Sequence, residues 1–240
     1  MSFSVFFLAA MAVTGGFINS AFALGGGVFL IATMPGQIPL NAVVPLHGLS
    51  ILSNNILRSA LDWRSINWVI MAKIAVGSVF GVLAGVQVLP YLPTEHLPLI
   101  LGITILVLTW IPHFSISTLI PGAFILCGFL QTFTAMLIGS TGPLVMVFFI
   151  NRGMNRNELV ANTAMVAVIA DVIKIFGFLY IGFPYADYLP EIAVLMSGMA
   201  LGAILGKLVR GRLPARFFAT GLKLLISALA VQMLVKYFLA

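Results

Sequence analysis

The sequence predicts an all-α, polytopic membrane protein with about 8 transmembrane segments, two of them broken or hairpin-like. These form two homologous repeats, residues 1–114 and 115–240, joined in one membrane domain. Three observations carry that expectation. Hydrophobic residues make up 61% of the 240 positions and charged ones 8%, whereas a soluble domain carries about 25% charged side chains. So few charges cannot cover a water-facing surface. Apolar runs at 68–89, 97–111, 159–181 and 217–239 approach the roughly 20 residues needed to cross a bilayer. The two halves also echo each other. Gly26, Asn41 and Arg58 stand 116 positions before Gly142, Asn157 and Lys174, while Gly77, Gly81 and Gly85 stand 121 before Gly198, Gly202 and Gly206. Pro93 falls on Pro214. A duplicated apolar chain with a glycine-interrupted segment near the start of each half is the pattern of a secondary transporter.

The first segment opens on apolar residues 1–13 with no basic start, so it reads as retained structure although Ala21-Phe22-Ala23 looks like a signal-cleavage site. Its continuation, Asn19-Ser20-Ala21-Phe22-Ala23-Leu24-Gly25-Gly26-Gly27, places three glycines where each costs a helix about 1 kcal/mol relative to alanine. The counterpart in the second half is Gly139-Ser140-Thr141-Gly142-Pro143-Leu144, in which Ser140 or Thr141 can cap a new helix whose first turn suits Pro143. At about 1.5 Å per residue, segments 3–33 and 117–150 are short for two crossings and long for one. Each is expected to enter and return on one side. Fresh helix starts at the breaks would aim unpaired N–H groups and positive dipole ends at an anion. Backbone freed inside a membrane is tolerated only where protein or a watery cavity satisfies it. The alternative is that the glycines only let helices cross closely. The company of Asn19, Ser20, Gln131, Thr132, Thr134, Ser140 and Thr141 favours a polar site.

The helix after each break adds a polar stripe. His47, Ser50, Asn54 and Arg58 share one face, with Asn55 beside it. The equivalent helix presents Asn162, Thr163, Asp171 and Lys174, the last two spaced to pair. Ionisable residues within spans are functional candidates. The competing readings are that Arg58 and Lys174 snorkel to a headgroup region, that His47 is a satisfied core residue, and that Asp171 and Lys174 form a structural ion pair. His47 and Asp171 are the candidates for coupling to an ion, since histidine titrates in the useful range. The glycine series that follow have small-xxx-small spacing and read as close helix contacts, with Gly81→Ala expected to be mild for function. Cys127 lies in an apolar stretch and reads as packing.

Most of the net charge of +6 is topological. Arg58 and Arg64, Arg152 and Arg156, and Lys207, Arg210, Arg212 and Arg216 crowd three connections, while connections 35–40, 90–96 and 183–190 carry no Lys or Arg. Basic loops belong to the cytoplasmic side. Each basic connection in one half corresponds to one without basic residues in the other, which favours inverted over parallel repeats. Parallel repeats of four simple spans remain the competing arrangement. No HExxH, Walker loop, CxxC or Gly-x-Ser-x-Gly element is present, which argues against an enzyme or an ATPase.

The Gly25-Gly26-Gly27 run followed by Asn41, the later Gly142-Pro143-Leu144 with Asn157 and Asn162, and the paired glycine-rich third helices resemble the sulfite exporter TauE/SafE family over nearly the whole chain. That resemblance implies transport of sulfite or small organosulfonates across a bacterial cytoplasmic membrane, with export favoured. The expected binding residues are Gly25, Gly26, Gly27, Asn19, His47, Asn54, Asn55, Gln131, Ser140, Thr141, Gly142 and Asn162, with no catalytic residue, metal or other cofactor. Partners are a small anion, the lipid bilayer, a coupling proton or sodium ion and a second copy of the chain, with no nucleic acid. The alternatives are an uptake permease for another small metabolite and a membrane enzyme or assembly subunit.

Overall fold

Apolar helices dominate the molecule because a chain with so few polar side chains must satisfy its backbone internally. The computed structural model describes residues 3–22, 25–92, 94–110, 122–139, 145, 148–149, 154, 156–209 and 215–239. Among these are nine α-helices: α1 (Phe3–Phe22), α2 (Gly26–Thr33), α3 (Leu40–Leu61), α4 (Trp68–Val88), α5 (Leu97–Trp110), α6 (Ala123–Ile138), α7 (Arg156–Tyr180), α8 (Leu189–Val209) and α9 (Ala215–Leu239). Four stretches are long and apolar enough to cross a membrane: Val5–Phe22, Trp68–Tyr91, Glu158–Tyr180 and Tyr185–Val209. Three shorter apolar helices, Pro98–Val107, Ala123–Ile138 and Ile226–Leu239, accompany them. The long helix α3 is not among the four, because its polar stripe lowers its hydropathy.

Exposed apolar side chains cover the outside, including Val69, Val76, Phe80 and Leu83 on α4 and Leu201, Ile204 and Leu208 on α8. Such a surface is stable in lipid and not in water. Helix α4 alone spans about 30 Å at 1.5 Å per residue, with exposed Trp63 and Trp68 at its start and exposed Tyr91 past its end. Aromatic residues at both ends suit the two membrane–water interfaces.

The first broken segment folds back on itself. Helix α1 stops at Phe22, Gly25 takes a left-handed φ of 93° as the residue before α2, and Phe29 N–H donates to its carbonyl at 2.8 Å. Only glycine adopts that conformation without strain. A Cβ on Gly26 would run into the Gly15 carbonyl and Asn19, and one on Gly15 would stand 3.6 Å from Leu30 Cβ. α2 therefore returns antiparallel along α1.

The glycine series set close helix crossings. A Cβ on Gly81 would stand 2.5 Å from the Phe129 carbonyl oxygen and one on Gly206 2.5 Å from that of Phe17. A methyl at Gly81 would therefore press on backbone of the facing helix, a cost in packing rather than a measure of its effect on flux. The two interfaces use corresponding residues. Gly77 of α4 meets Ile125 and Phe129 of α6, and Gly198 of α8 meets Ala9 and Val13 of α1.

Helices α3 and α7 cross antiparallel through the middle. Gly48 lies against Lys174, Asn55 against Asp171, and Ser65 against Asn162. Connections among the described residues lie at both ends of this axis. A cavity of about 1030 Å³ is lined by Pro35, Gln37, Glu95 and His96, and one of about 290 Å³ joins Leu92 to Phe183 and Pro184. The connections without basic residues thus gather where α3 begins. The connection carrying Arg64 lies at its other end, beside the start of α7.

Candidate functional site

Helical spacing in α3 points His47, Ser50, Asn54, Asn55 and Arg58 inward, and all are buried. The polar groups then bond across helices. Asn19 Nδ2 of α1 donates to Asn54 Oδ1 at 2.8 Å and to Asn55 Oδ1 at 3.4 Å. Asn54 Nδ2 donates to the Gly16 carbonyl at 3.0 Å and the Met199 carbonyl at 3.2 Å, tying α3 to α1 and α8. Arg58 Nη1 donates to Asn55 Oδ1 at 3.2 Å, and Asn55 Nδ2 donates to Asp171 Oδ2 at 3.4 Å.

The network continues into α7 and reaches the end of α6. Asp171 Oδ1 pairs with Lys174 Nζ at 2.9 Å, and that ammonium also donates to the Gly139 carbonyl at 3.3 Å. Lys174 is 0% exposed and Arg58 4%, so neither reaches out to a headgroup region. Their burial is sustained because each charge has polar partners. Gly139 closes α6 with φ 82°, a left-handed glycine at a helix end as Gly25 is at the start of α2. His47 stands between the start of α2 and the end of α6: its Nε2 contacts the Gly27 carbonyl at 3.0 Å, and a Cβ on Gly139 would be 3.5 Å from its Nδ1.

The first-turn N–H groups of α2 lack intrahelical acceptors, and a buried ammonium and several amides belong to the same hydrogen-bonded network. It is a surrounding for negative charge in an apolar molecule. The family model described as Sulfite exporter TauE/SafE matches residues 7–233. The chain belongs to the sulfite exporter TauE/SafE family. It is thereby a multi-pass membrane protein of a family that transports sulfite and related anions. No curated protein and no solved structure matches the chain.

Within this family member, the structure brings together Gly25, Gly26, Gly27, Asn19, His47, Asn54, Asn55 and Asp171. It adds Lys174 and Gly139, which sequence reasoning named but did not place in the site; the spacing of Lys174 from Asp171 was the available signal. Asn162 is placed elsewhere. Its amide donates to the carbonyls of Ser65 and Glu158, both at 2.8 Å, and its Oδ1 accepts from Asn67 N–H at 2.9 Å. It is nine residues from Asp171, about 13 Å along the helix, and it fastens the turn between α3 and α4. Gln131 is buried on α6, about 12 Å along that helix from Gly139. Ser140, Thr141 and Gly142 lie outside the described residues, as does most of the basic connections at 152–156 and 207–216.

Proposed function

We propose that this protein is a secondary transporter that exports sulfite or small organosulfonates across a bacterial cytoplasmic membrane. The anion would bind where the breaks after α1 and α6 meet the stripe of α3. The observation that carries this reading is the convergence of Gly27, His47, Gly139, Asn55, Asp171 and Lys174 from separate elements into one buried polar cluster. A purely structural apolar bundle has no need to bury so many polar groups, each of which must be satisfied at a cost in specificity of packing.

Ser140, Thr141 and Gly142 would supply the second set of donors. Two halves inserted in opposite senses are supported by the exchange of contacts noted above and by the antiparallel crossing of α3 and α7. A two-fold axis that exchanges two antiparallel membrane helices lies in the membrane plane, which is the geometry of inverted repeats. The connection carrying Arg64 would then be cytoplasmic. Labelling of Arg64→Cys and Tyr91→Cys in a Cys127→Ser background tests this; outside labelling at position 64 would reverse the orientation.

Counterflow in proteoliposomes tests the transport reading. Exchange of labelled sulfite is expected to be accelerated by sulfite and by methanesulfonate and not by neutral metabolites. Protein that inserts correctly yet exchanges no anion would leave the enzyme or assembly-subunit reading in its place. Gly26→Leu, the obvious site variant, does not discriminate, because its side chain would wedge α2 from α1 at Gly15 and Asn19.

A further inference from the structure

The His47 ring carries a proton at a known nitrogen. The Gly27 carbonyl can only accept, so the 3.0 Å contact puts the hydrogen on Nε2 and leaves Nδ1 of the neutral ring as a bare lone pair. That lone pair has no hydrogen-bond partner among the described residues, although His47 is only 1% exposed. An unsatisfied buried acceptor is costly, and this one is aimed at the turn that ends α6. There the Gly139 carbonyl holds the Lys174 ammonium at 3.3 Å.

A lone pair is the wrong partner for an anion unless a hydrogen lies between them. Resting on the transporter reading above, we infer that the site loads one proton with each anion, carried on the line between His47 Nδ1 and an anion oxygen. For hydrogensulfite the proton arrives on the anion; for a sulfonate, which has none, it comes from water on the loading side. That proton is supplied through water by a hydronium ion or buffer acid, which is left as water or buffer base, and in either case it leaves with the anion.

The surrounding charges select His47 for this role. Lys174 of α7 approaches from the same side, and an anion between the ammonium and a protonated Nδ1 satisfies both. Asp171, the other coupling candidate, has Oδ1 engaged by Lys174 and Oδ2 by Asn55. Arg58, further along α3, donates to Asn55, and Tyr185 is within electrostatic reach of Asp171. Helices α1, α2 and α6 bring no charged residue.

Titration calorimetry of the purified protein with methanesulfonate, a monoanion without a proton to give, tests the inference in two buffers of different protonation heat. Wild type is expected to take up about one proton per anion, with affinity falling about tenfold per pH unit on the alkaline side of the transition. His47→Gln is expected to bind with no proton uptake and with affinity flat between about pH 5 and 8. Anion binding by wild type without proton uptake would overturn the inference and leave the transporter reading intact. Uptake that persists in His47→Gln would equally overturn it. Neither binding nor counterflow of any anion by wild type would instead defeat the transporter reading.

Discussion

Helices α3 and α7 hold corresponding places and carry different chemistry. On α3, Asn55 is followed three residues later by Arg58; on α7, 116 positions further along, Asp171 is followed by Lys174. The neutral amide and the carboxylate meet at the crossing, at 3.4 Å. Two carboxylates there would repel, and two amides would leave the Lys174 ammonium without its carboxylate partner. The asymmetry extends to His47, whose counterpart Thr163 turns its hydroxyl onto the Leu159 carbonyl of its own helix at 2.7 Å. Helices α3 and α7 thus offer two similar frames, and single side chains decide which frame holds the carboxylate and which holds a titratable ring.

Making the two helices alike at the crossing should have the largest effect. Asp171→Asn gives both halves an amide and strands the buried Lys174, at an expected cost of about 3–5 kcal/mol. Asp171→Leu combined with Lys174→Met should recover much of that loss in stability but not anion binding. Thermal unfolding in detergent reads both, and an Asp171→Asn variant as stable as wild type would show that the pair does not hold α7 in place.

The two glycine interfaces offer a matched test. Gly81→Ala and Gly202→Ala each push a methyl against backbone of the facing helix and should each cost about 1–3 kcal/mol. Unequal losses would mean that the interfaces are not equivalent in energy despite their common register.

Asn162→Ala removes three hydrogen bonds at the turn into α4 and should cost about 1–2 kcal/mol, while anion affinity and its pH dependence stay as in wild type. A selective loss of affinity would return Asn162 to the site. Smallest of all should be Thr163→Ala, which deletes a hydroxyl bonded within its own helix. It is expected to change stability by less than about 1 kcal/mol and to leave the pH profile of transport unchanged.

The break between α1 and α2, the inward stripe of α3 and the close-packing glycines were legible in the residues, because each follows from local chemistry. Glycine runs interrupt helices, polar residues at intervals of three and four share a face, and small residues spaced by four allow backbones to touch. The membrane solvent was likewise set by composition alone. Span number was less accessible, since α3 is long yet polar and α2 has only eight residues, so hydropathy counts neither well.

What the sequence by itself determined, then, is which residues share each helix face and which solvent the whole must meet. Depth and register between helices were decided only by tertiary packing. Asn162 and Asp171 were both candidates on α7 as polar residues of one helix, but the antiparallel crossing set one at a connecting turn and the other against Asn55. The same crossing brought Lys174 to Gly139 and turned His47 Nδ1 toward that glycine. A helix repeats every 3.6 residues whatever its neighbour, so its sequence fixes the direction in which a side chain points. Which atom stands opposite depends on how far one helix has slid along the next, and that is set by where the glycines let the backbones meet.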